Sequence, residues 1–388
     1  MLARGHKAAT AAGQAQPVSS VRRSCDCAQD DTEPQRRWSK PYQGFSIPAL
    51  PVALEADVEF TWIERYFKPL RPQAQPAVLC NNGDDAAVWR SPKGMAEVFS
   101  LDTACSGVHF PADAAANLIA YRSLMCALSD LAAMGAQPSH VSLGLTLASG
   151  CTEDWVAGFA QGLAQGLAQH QIGLIGGDTT MSRQPGLGAV ISFGVHGWVA
   201  EQYFRRDAAQ AGDLIVLTGP TGLANAALPW LAQPESSPAQ QEASPAQPET
   251  SPAIQALLDA YWRPKPQFAL AQQLLPYARA AIDVSDGLLA DLDHMAKASG
   301  LGYQLQAEAL PLQPLLAAGL DQQQALQAAL TGGDDYQLLL ALAPEHWPKL
   351  AHLKLICLGQ FTAKPQRDCY YGQQLLTLAR RGYQHHAD

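Results

Sequence analysis

The sequence predicts an α+β fold made of two domains, each built around a mixed β-sheet. The chain has 388 residues, of which 47% are hydrophobic, so it can bury a sizeable core and is long enough for two domains. Segments with strand and helix patterns alternate along most of its length. Aspartates recur where the apolar segments end at Gly, Ser or Thr. These observations predict a globular protein with an acidic site at the ends of buried elements.

Changes in composition predict the domain limits. Residues 1–52 mix Ala, Gln, Ser, Pro and Arg, which indicates a disordered extension or a misassigned start codon. We expect an N-terminal domain over residues 53–212 and a C-terminal domain over residues 213–388. Within the second domain, residues 233–252 repeat Pro, Glu, Ser and Gln with few apolar residues, so we predict a flexible surface insertion there.

The first domain opens with a short helix at residues 60–67 that is expected to end before Pro69. Strand patterns at 86–89 and 97–101 flank a Ser-Pro-Lys-Gly loop, which predicts a hairpin with aspartates on both strands.

Apolar residues at helical spacing predict a helix over 114–134, stopped by Gly135. Asp130 falls in its last turn, where the helix dipole disfavours a carboxylate by about 0.3–1 kcal/mol, so a ligand role is favoured. The remaining elements predicted for this domain are a helix at 153–169, a strand at 173–175, a turn at 176–178 and a strand at 189–199.

The second domain repeats the same theme, in which an apolar strand ends in a small-residue turn that carries aspartates. The predicted elements are a buried strand within 212–219, a strand at 280–284, a turn at 285–287, a helix at 288–299, an acidic turn at 332–335 and a strand at 336–343.

The charge composition limits the kinds of partner that the protein is expected to bind. Charged residues make up 16% of the chain and the formal net charge is -9, which argues against nucleic-acid binding because that requires clustered Lys and Arg. No apolar run approaches the roughly 18 residues of a membrane span, and the N-terminus lacks a signal-peptide core. We therefore predict a cytoplasmic enzyme that contacts no membrane.

The eight cysteines are scattered and contain no pair of CxxC units that would form a zinc site. Most are expected to be buried thiols in a reducing compartment. Cys25 and Cys27 could bind a metal or form a redox couple, but their polar, Arg-rich surroundings favour an incidental pair.

Six acidic turns follow apolar segments. They contain Asp84-Asp85, Asp102, Asp130, Asp178, Asp283 with Asp286, and Asp334-Asp335. Any one of them alone could cap a helix or form an Asx-turn. Six are harder to explain as independent caps than as one convergent site, and gathered carboxylates repel one another unless a cation joins them. Hard oxygen ligands of this kind favour Mg²⁺, and a Mg²⁺ site in turn indicates a substrate that carries phosphate.

Other phosphate-binding motifs are missing: the sequence has no P-loop, no GxGxxG after a strand and no kinase HRD or DFG pair. A GxSxG nucleophile elbow is also absent. His109 could contact a phosphate or be an ordinary half-buried histidine. Arg205 and Arg206 could form surface ion pairs or contact a phosphate. His196, in an apolar strand, is interpreted as structural.

The order of the motifs resembles that of the thiamine-monophosphate kinase family. The motifs read NNGDDAAVW, SLDTACSGVHF, LSDLAAMGAQP, GLIGGDTT, IDVSDGLLADL and GGDDYQLLL, between about Glu55 and Tyr383. Part of the set is similar to the wider superfamily of aminoimidazole ribonucleotide synthetase, selenophosphate synthetase and the hydrogenase-maturation dehydratase.

This resemblance implies an N-terminal domain that forms a homodimer through its sheet and holds ATP and Mg²⁺, and a C-terminal α/β domain that helps to close the site. Thiamine monophosphate would be the second substrate. The implied metal ligands are Asp85, Ser100, Asp102, Asp130, Asp178, Asp283 and Asp286. The implied nucleotide contacts are Gly177, Asp178, Arg206 and Ser285, and the implied contacts to thiamine phosphate are His109, Asp334 and Tyr383.

Three features depart from the family pattern. Leu101 stands where the family commonly has Thr, Asn81-Asn82 replace Gly-Ile, and Asp334 replaces Glu, which keeps the charge but shortens the reach. These departures concern affinity rather than reaction class.

We hypothesise direct in-line transfer of the γ-phosphoryl group of ATP to the phosphate of thiamine monophosphate, assisted by several Mg²⁺ ions. The acceptor phosphate has a second pKa of about 6 and is largely dianionic at neutral pH, so no acid or base residue is required.

The alternatives are an ATP-dependent cyclo-ligase of the aminoimidazole ribonucleotide synthetase type and a nucleotide-binding relative without turnover. Selenophosphate synthesis and hydrogenase maturation are disfavoured because a Cys-Gly-Cys-Lys loop and a C-terminal cysteine are missing.

Overall fold

The computed structural model describes residues 61–71, 78–80, 86–184, 186–231 and 251–383. They all belong to one compact unit, Ile47–Asp388. The predictions for residues 1–52, for Asn81-Asn82 and Asp84-Asp85, and for almost all of the 233–252 insertion lie outside the described residues. The domain boundary between residues 212 and 213 stays a prediction.

A short helical segment begins the described chain. A π-helix over Ile63–Phe67 continues into a 3₁₀ helix over Lys68–Leu70, so the predicted helix is present but extends past Pro69. A proline is tolerated here because it lies in the first turn of the 3₁₀ helix, where its missing N–H is not needed. The Tyr66 hydroxyl donates a 2.7 Å hydrogen bond to Glu153 and anchors the segment.

The predicted hairpin at the start of the fold is wrong. Strand β1 (Val78–Cys80) pairs with β2 (Val88–Trp89), whereas β3 (Ala96–Cys105) pairs antiparallel with the later strand Val190–Val199 over its whole length. Residues 86–89 supply only two strand residues, and the long partner gives β3 many more ladder hydrogen bonds. A side-chain contact links the two segments instead, because the Trp89 indole donates a 3.1 Å hydrogen bond to Glu97.

The first main sheet has the strand order β3-β6-β4-β5. Its further strands are β4 (Gln137–Leu147), β5 (Gly173–Met181) and β6 (Val190–Val199). β4 and β5 are parallel and the other pairs are antiparallel, so the sheet is mixed as predicted. The turn predicted at residues 176–178 is wrong, because Gly176, Gly177 and Asp178 continue the ladder beside Ser142 to Gly144.

Two helices pack together on this sheet, α1 (Ala116–Ala133) and α2 (Glu153–His170), close to their predicted limits. A Cβ at Gly162 of α2 would collide with the Asn117 carbonyl, so glycine permits a close helix crossing there. α1 also packs against β3, β6 and the second main sheet, and therefore most of its residues are buried. This central position brings its few polar residues to the junction of the two sheets.

The second main sheet has the order β13-β12-β9-β11-β7-β10-β8. Its strands are β7 (Leu214–Leu217), β8 (Ala278–Asp283), β9 (Gly302–Gln306), β10 (Leu338–Leu342), β11 (Ile356–Thr362), β12 (Arg367–Tyr371) and β13 (Gln374–Leu375). All pairs are antiparallel except β9 with β12. The adjacent strands β7 and β10 are wholly apolar, and each fully buried leucine contributes about 2 kcal/mol relative to exposure.

Helices and 3₁₀ segments connect these strands. They are α3 (Leu223–Leu231), α4 (Pro252–Trp262), α5 (Phe268–Leu274), α6 (Leu288–Ala298), α7 (Gln313–Ala317) and α8 (Gln322–Thr331), with 3₁₀ helices at Ala307–Ala309 and Pro344–Leu350. The predicted α+β fold with mixed sheets is confirmed. No helix within the described ranges combines the length and apolar character needed to cross a bilayer.

Candidate active site

The end of α1 holds the first pair of predicted site residues. Ser100 lies on β3 and Asp130 in the last turn of α1, and the Ser100 hydroxyl donates a 2.5 Å hydrogen bond to Oδ2 of Asp130. Burial raises the pKa of Asp130, while the Ser100 hydroxyl and the Arg206 guanidinium lower it. Because the C-terminal end of a helix dipole is negative, this carboxylate is in a position that favours a cation.

Asp102 lies two residues beyond Ser100 on β3, so both side chains leave the same face of the sheet. Burial raises the pKa of Asp102, and the negative charge of Asp130 raises it further. Asp334 adds to this effect and His109 opposes it. Asp102 therefore belongs to the same electrostatic cluster as Asp130.

Asp283 joins the cluster from the second main sheet. It ends β8, is only 6% exposed and accepts a 2.7 Å hydrogen bond from the Ser129 hydroxyl of α1. Burial and the charge of Asp130 together raise the pKa of Asp283 to about 6. Asp130 on α1 thus interacts electrostatically with Asp102 on β3 and with Asp283 on β8, which are distant from it in sequence.

The turn after β8 is organised by Asp291, which the sequence analysis missed. Oδ2 of Asp291 accepts 3.1 Å hydrogen bonds from the backbone N–H groups of Ser285, Asp286 and Gly287. Burial and the charges of Asp283 and Asp286 raise its pKa to about 8, while the N–H donors act in the opposite direction. Its location in the first turn of the predicted helix, four residues after Gly287, is a signal that could have identified it.

Asp334 lies in the loop before β10 and is bound to α1. Its Oδ2 is 2.9 Å from Nη2 of Arg122, and its Oδ1 accepts a 3.1 Å hydrogen bond from the Tyr336 hydroxyl. Asp334 has a φ of 71° and Tyr336 a φ of 53°. Positive φ at non-glycine residues costs free energy and is concentrated at functional sites, so the surroundings hold this loop in a specific conformation.

Arg122 connects Asp334 to His109. The Arg122 side chain is nearly fully buried, donates a 2.6 Å hydrogen bond to the Tyr261 carbonyl and lies 3.8 Å from the centre of the Tyr261 ring. The Tyr261 hydroxyl donates to the His109 carbonyl at 2.9 Å. Nδ1 of His109 accepts a 3.0 Å hydrogen bond from the backbone N–H of Cys105, so a neutral His109 ring carries its proton on Nε2.

Tyr383 is close to the turn after β8. Its backbone N–H donates a 2.8 Å hydrogen bond to the Asp286 carbonyl, and its side chain is 55% exposed. A cavity of about 560 Å³ opens between the two residues and is lined also by Asp293, His294 and Arg381. The structure therefore brings Tyr383 and Asp286 to one cleft.

Two predicted residues lie apart from the cluster. Gly177 and Asp178 are on β5, which is at the opposite edge of the first main sheet from β3, about 14 Å away at ordinary strand spacing. The Asp178 side chain is exposed on the face that also carries Thr103 and Ser192. The positive charge of Arg206 lowers the pKa of both Asp130 and Asp283. Asp85 lies outside the described residues.

Sequence reasoning also missed the roles of Arg122 and Ser129, and it left open whether Asp335 is a ligand or a turn residue. Arg122 and Asp130 are the only charged residues of α1, and a charge within an otherwise apolar helix was an available signal. The Asp335 carboxylate accepts backbone N–H groups from residues 222–224 at the start of α3. In the Asp334-Asp335 pair, therefore, the second residue is a helix cap and the first faces the site.

Comparison with known proteins identifies the family of the chain. A family model described as "AIR synthase related protein, N-terminal domain" matches residues 83–199, which contain β3 to β6 and α1. The chain is also 34% identical over 337 residues to the thiamine-monophosphate kinase of Escherichia coli strain K12, covering 85% of this chain and 98% of the relative. The chain belongs to the thiamine-monophosphate kinase family, and the predicted resemblance is confirmed.

Solved structures show the same fold. The thiamine-monophosphate kinase from Stenotrophomonas maltophilia K279a is 36% identical with a TM-score of 0.67, covering 76% of this chain and 92% of that chain. A structure described as "AaThiL complexed with AMPPCP and TMP" has a TM-score of 0.64 at 24% identity, covering 76% of this chain and 89% of that one.

Proposed function

We propose that this protein transfers the γ-phosphoryl group of ATP directly to the phosphate of thiamine monophosphate, which gives thiamine diphosphate and ADP. The observation that carries the proposal is the convergence of Asp102, Asp130 and Asp283 from β3, α1 and β8 beside Arg206. Membership of the thiamine-monophosphate kinase family supports this choice of substrates. The related complex with AMPPCP and TMP supports it as well.

The chemistry of the acidic cluster fits Mg²⁺. Ser100, Asp102, Asp130 and Asp283 offer hard oxygen donors. Burial raises the pKa of the three carboxyls, and the negative charge of Asp130 raises the pKa of Asp102 and Asp283 further. We propose these residues as the ligands, with Asp286, Asp178 and Asp85 as further candidates. When bound, Mg²⁺ would offset the repulsion between the two phosphate-bearing substrates.

Hydrogen bonds within the protein orient the proposed ligands. The Ser100 hydroxyl fixes Asp130 and the Ser129 hydroxyl fixes Asp283 before any substrate binds. Preorganised groups of this kind avoid a reorganisation cost during phosphoryl transfer. No side chain needs to remove a proton, because the acceptor phosphate is already dianionic at neutral pH.

The contact of Ser285 with the nucleotide can be specified further. Asp291 accepts the backbone N–H groups of residues 285–287, so these groups are already engaged. We therefore expect Ser285 to contact the nucleotide through its hydroxyl. Arg206 supplies a guanidinium for the donor phosphates on the side of Asp130.

The acceptor is proposed to bind near Asp334 and His109. Thiamine monophosphate combines an anionic phosphate with a positively charged thiazolium ring, so it suits a site that contains both kinds of charge. Arg122 and Asp334 form such a pair beside His109. The backbone N–H of Asp334 donates a 2.8 Å hydrogen bond to the Ser285 carbonyl, next to Asp286, which lines the cleft with Tyr383.

The exposed face of the first main sheet supports a homodimer. Phe99 and Leu101 on β3 are 58% and 63% exposed, although large apolar side chains are usually covered. We propose that a second copy covers this face, which would bring Asp178 to the interface. A cytoplasmic location stays part of the same proposal.

An assay of ADP release with thiamine monophosphate as acceptor and Mg²⁺ varied tests the proposed reaction. We expect ADP and thiamine diphosphate in equal amounts. ADP release only with the acceptor of aminoimidazole ribonucleotide synthetase would support the cyclo-ligase alternative. Tight ATP binding without ADP release from any acceptor would support a relative without turnover.

A further inference from the structure

A second cluster of metal-type ligands lies on the first main sheet, apart from the acidic site. It consists of Glu97 on β3, His140 on β4 and His196 on β6. One ligand atom from each residue lies within 4.8 Å of the other two. We propose that these three residues form a binding site for a transition-metal ion such as Zn²⁺.

The unsatisfied nitrogen of His140 is the observation that points to a ligand. His140 is fully buried, and its Nε2 has no hydrogen-bond partner among the described residues. Buried polar atoms in native proteins are nearly always paired, so an orphaned ring nitrogen needs an explanation. The His140 and His196 rings stack with centres 4.7 Å apart and an interplanar angle of 21°, so the two imidazoles face one another.

Neighbouring residues already orient the proposed ligands. Nδ1 of His140 is 2.5 Å from the Ser139 hydroxyl, and when Nδ1 donates to that oxygen the lone pair of Nε2 is available to a metal. Glu97 accepts a 3.1 Å hydrogen bond from the Trp89 indole. Such supporting hydrogen bonds are typical of metal sites, where they fix the tautomer and the direction of each ligand.

The donor set favours zinc-like metals over magnesium. Two imidazoles and one carboxylate form a common ligand set for Zn²⁺, with a fourth position open to water, whereas Mg²⁺ prefers oxygen alone. Tetrahedral bonds of about 2.0 Å place ligand atoms about 3.3 Å apart, so the three side chains must move closer together by about 1.5 Å at most. The Glu97 side chain is 31% exposed on a single chain, which gives it freedom to move. It shares a sheet face with Phe99 and Leu101, so in the proposed homodimer the ion would lie at the interface.

Metal binding replaces an existing contact. Nδ1 of His196 lies 2.8 Å from Oε1 of Glu97, so the proton between these atoms must move to Nε2 of His196 or to solvent when both atoms bind the ion. The bound ion would link the adjacent strands β3, β6 and β4 beside Phe99. Its expected effect is therefore on the stability of the folded state, because a ligand that binds only this state raises the melting temperature.

The test uses the full chain in excess Mg²⁺, which occupies hard-oxygen sites. Co²⁺ absorption and chelator competition with Zn²⁺ are measured for the wild type and for Glu97→Gln, His196→Gln and His170→Gln. His170 is the matched control, because its Nε2 is also buried without a hydrogen bond but no metal-type ligands cluster around it among the described residues. Circular dichroism checks that each variant is folded.

We expect one Co²⁺ per wild-type chain, with the absorption of a nitrogen-ligated tetrahedral ion, and a higher melting temperature in Zn²⁺. Glu97→Gln and His196→Gln should each lose at least about tenfold in affinity, and His170→Gln should bind as the wild type does. No binding by the wild type, or undiminished binding by the folded Glu97→Gln variant, would overturn the proposal. Glu97→Gln is decisive if His196→Gln fails to fold, because Glu97 lies near the surface.

Discussion

The buried guanidinium of Arg122 lies 2.9 Å from the carboxylate of Asp334 and so binds α1 to the loop before β10. The same helix carries Ser129 and Asp130, whose side chains contact Asp283 and Ser100. Eight residues of helix separate Arg122 from Asp130, a rise of about 12 Å. One rigid element therefore positions both the proposed acceptor region and the proposed metal ligands.

Replacing Arg122 by Ala should damage both stability and acceptor binding. The change leaves Asp334 without its buried cation and removes the packing against Tyr261, so we expect a loss of about 3 kcal/mol in the free energy of unfolding. The Michaelis constant for thiamine monophosphate should rise more than that for ATP. Urea denaturation and initial-rate kinetics measure the two effects.

Arg205→Ala is the matched control for this change, because Arg205 pairs with Asp207 at the surface. Exposed ion pairs contribute little to stability, so this variant should resemble the wild type. Equal behaviour of the two arginine variants would contradict the role given to Arg122.

Ser129→Ala should weaken the region around Asp283 without removing a proposed ligand. The buried carboxylate loses its 2.7 Å hydrogen bond, which should cost about 1–3 kcal/mol of stability and lower the affinity for Mg²⁺. Denaturation in the presence and absence of Mg²⁺ measures both the stability and the affinity for Mg²⁺. An unchanged affinity for Mg²⁺ would show that Ser129 has no part in orienting Asp283.

His170→Gln should change the pH dependence of stability. Burial lowers the pKa of His170 to about 4, below the ordinary value of 6.5. Between these values the unfolded chain binds a proton that the folded chain excludes, so the stability of the wild type falls as the pH drops from about 6.5 to 4. Over this pH range, the free energy of unfolding should fall by about 1–3 kcal/mol less in the variant than in the wild type. Unfolding curves at several pH values test this, and parallel profiles would argue against it.

Leu101→Glu should convert the proposed homodimer to a monomer, because it would place a charge beside Phe99 on the proposed contact face. Leu375→Glu is the matched control, since Leu375 is 51% exposed on β13 of the other sheet. Light scattering at several protein concentrations gives the mass of each variant. A wild type that remains monomeric would refute the dimer.

Much of the fold was predictable because its signals are local. The apolar periodicity of α1 and the turn at Ser285-Asp286-Gly287 predict these elements from neighbouring residues alone. The hairpin prediction failed because pairing of β3 with a strand about 90 residues later depends on tertiary contacts. The predicted turn at Gly176-Gly177 failed for a similar reason, since β4 supplies ladder partners that keep these glycines extended.

The candidate site was predictable in its acidic residues but not in the groups that support them. Repetition of the acidic turns predicts a site that includes Asp102, Asp130 and Asp283 among other aspartates. The partners Arg122 and Ser129 are recognisable only once the surroundings of α1 are known, because their roles depend on residues from the second sheet. Asp178 shows the opposite case, since its motif predicts a ligand but the strand places it at the far edge of the sheet.

The most direct test of the central claim is ADP release by Asp130→Asn across a range of Mg²⁺ concentrations, at saturating ATP and thiamine monophosphate. The variant keeps the size of the side chain and one oxygen that can accept from the Ser100 hydroxyl, but it removes the charge. If the gathered carboxylates hold Mg²⁺ for phosphoryl transfer, activity at low Mg²⁺ should fall by about 100-fold or more. Wild-type activity of Asp130→Asn at low Mg²⁺ would contradict the account.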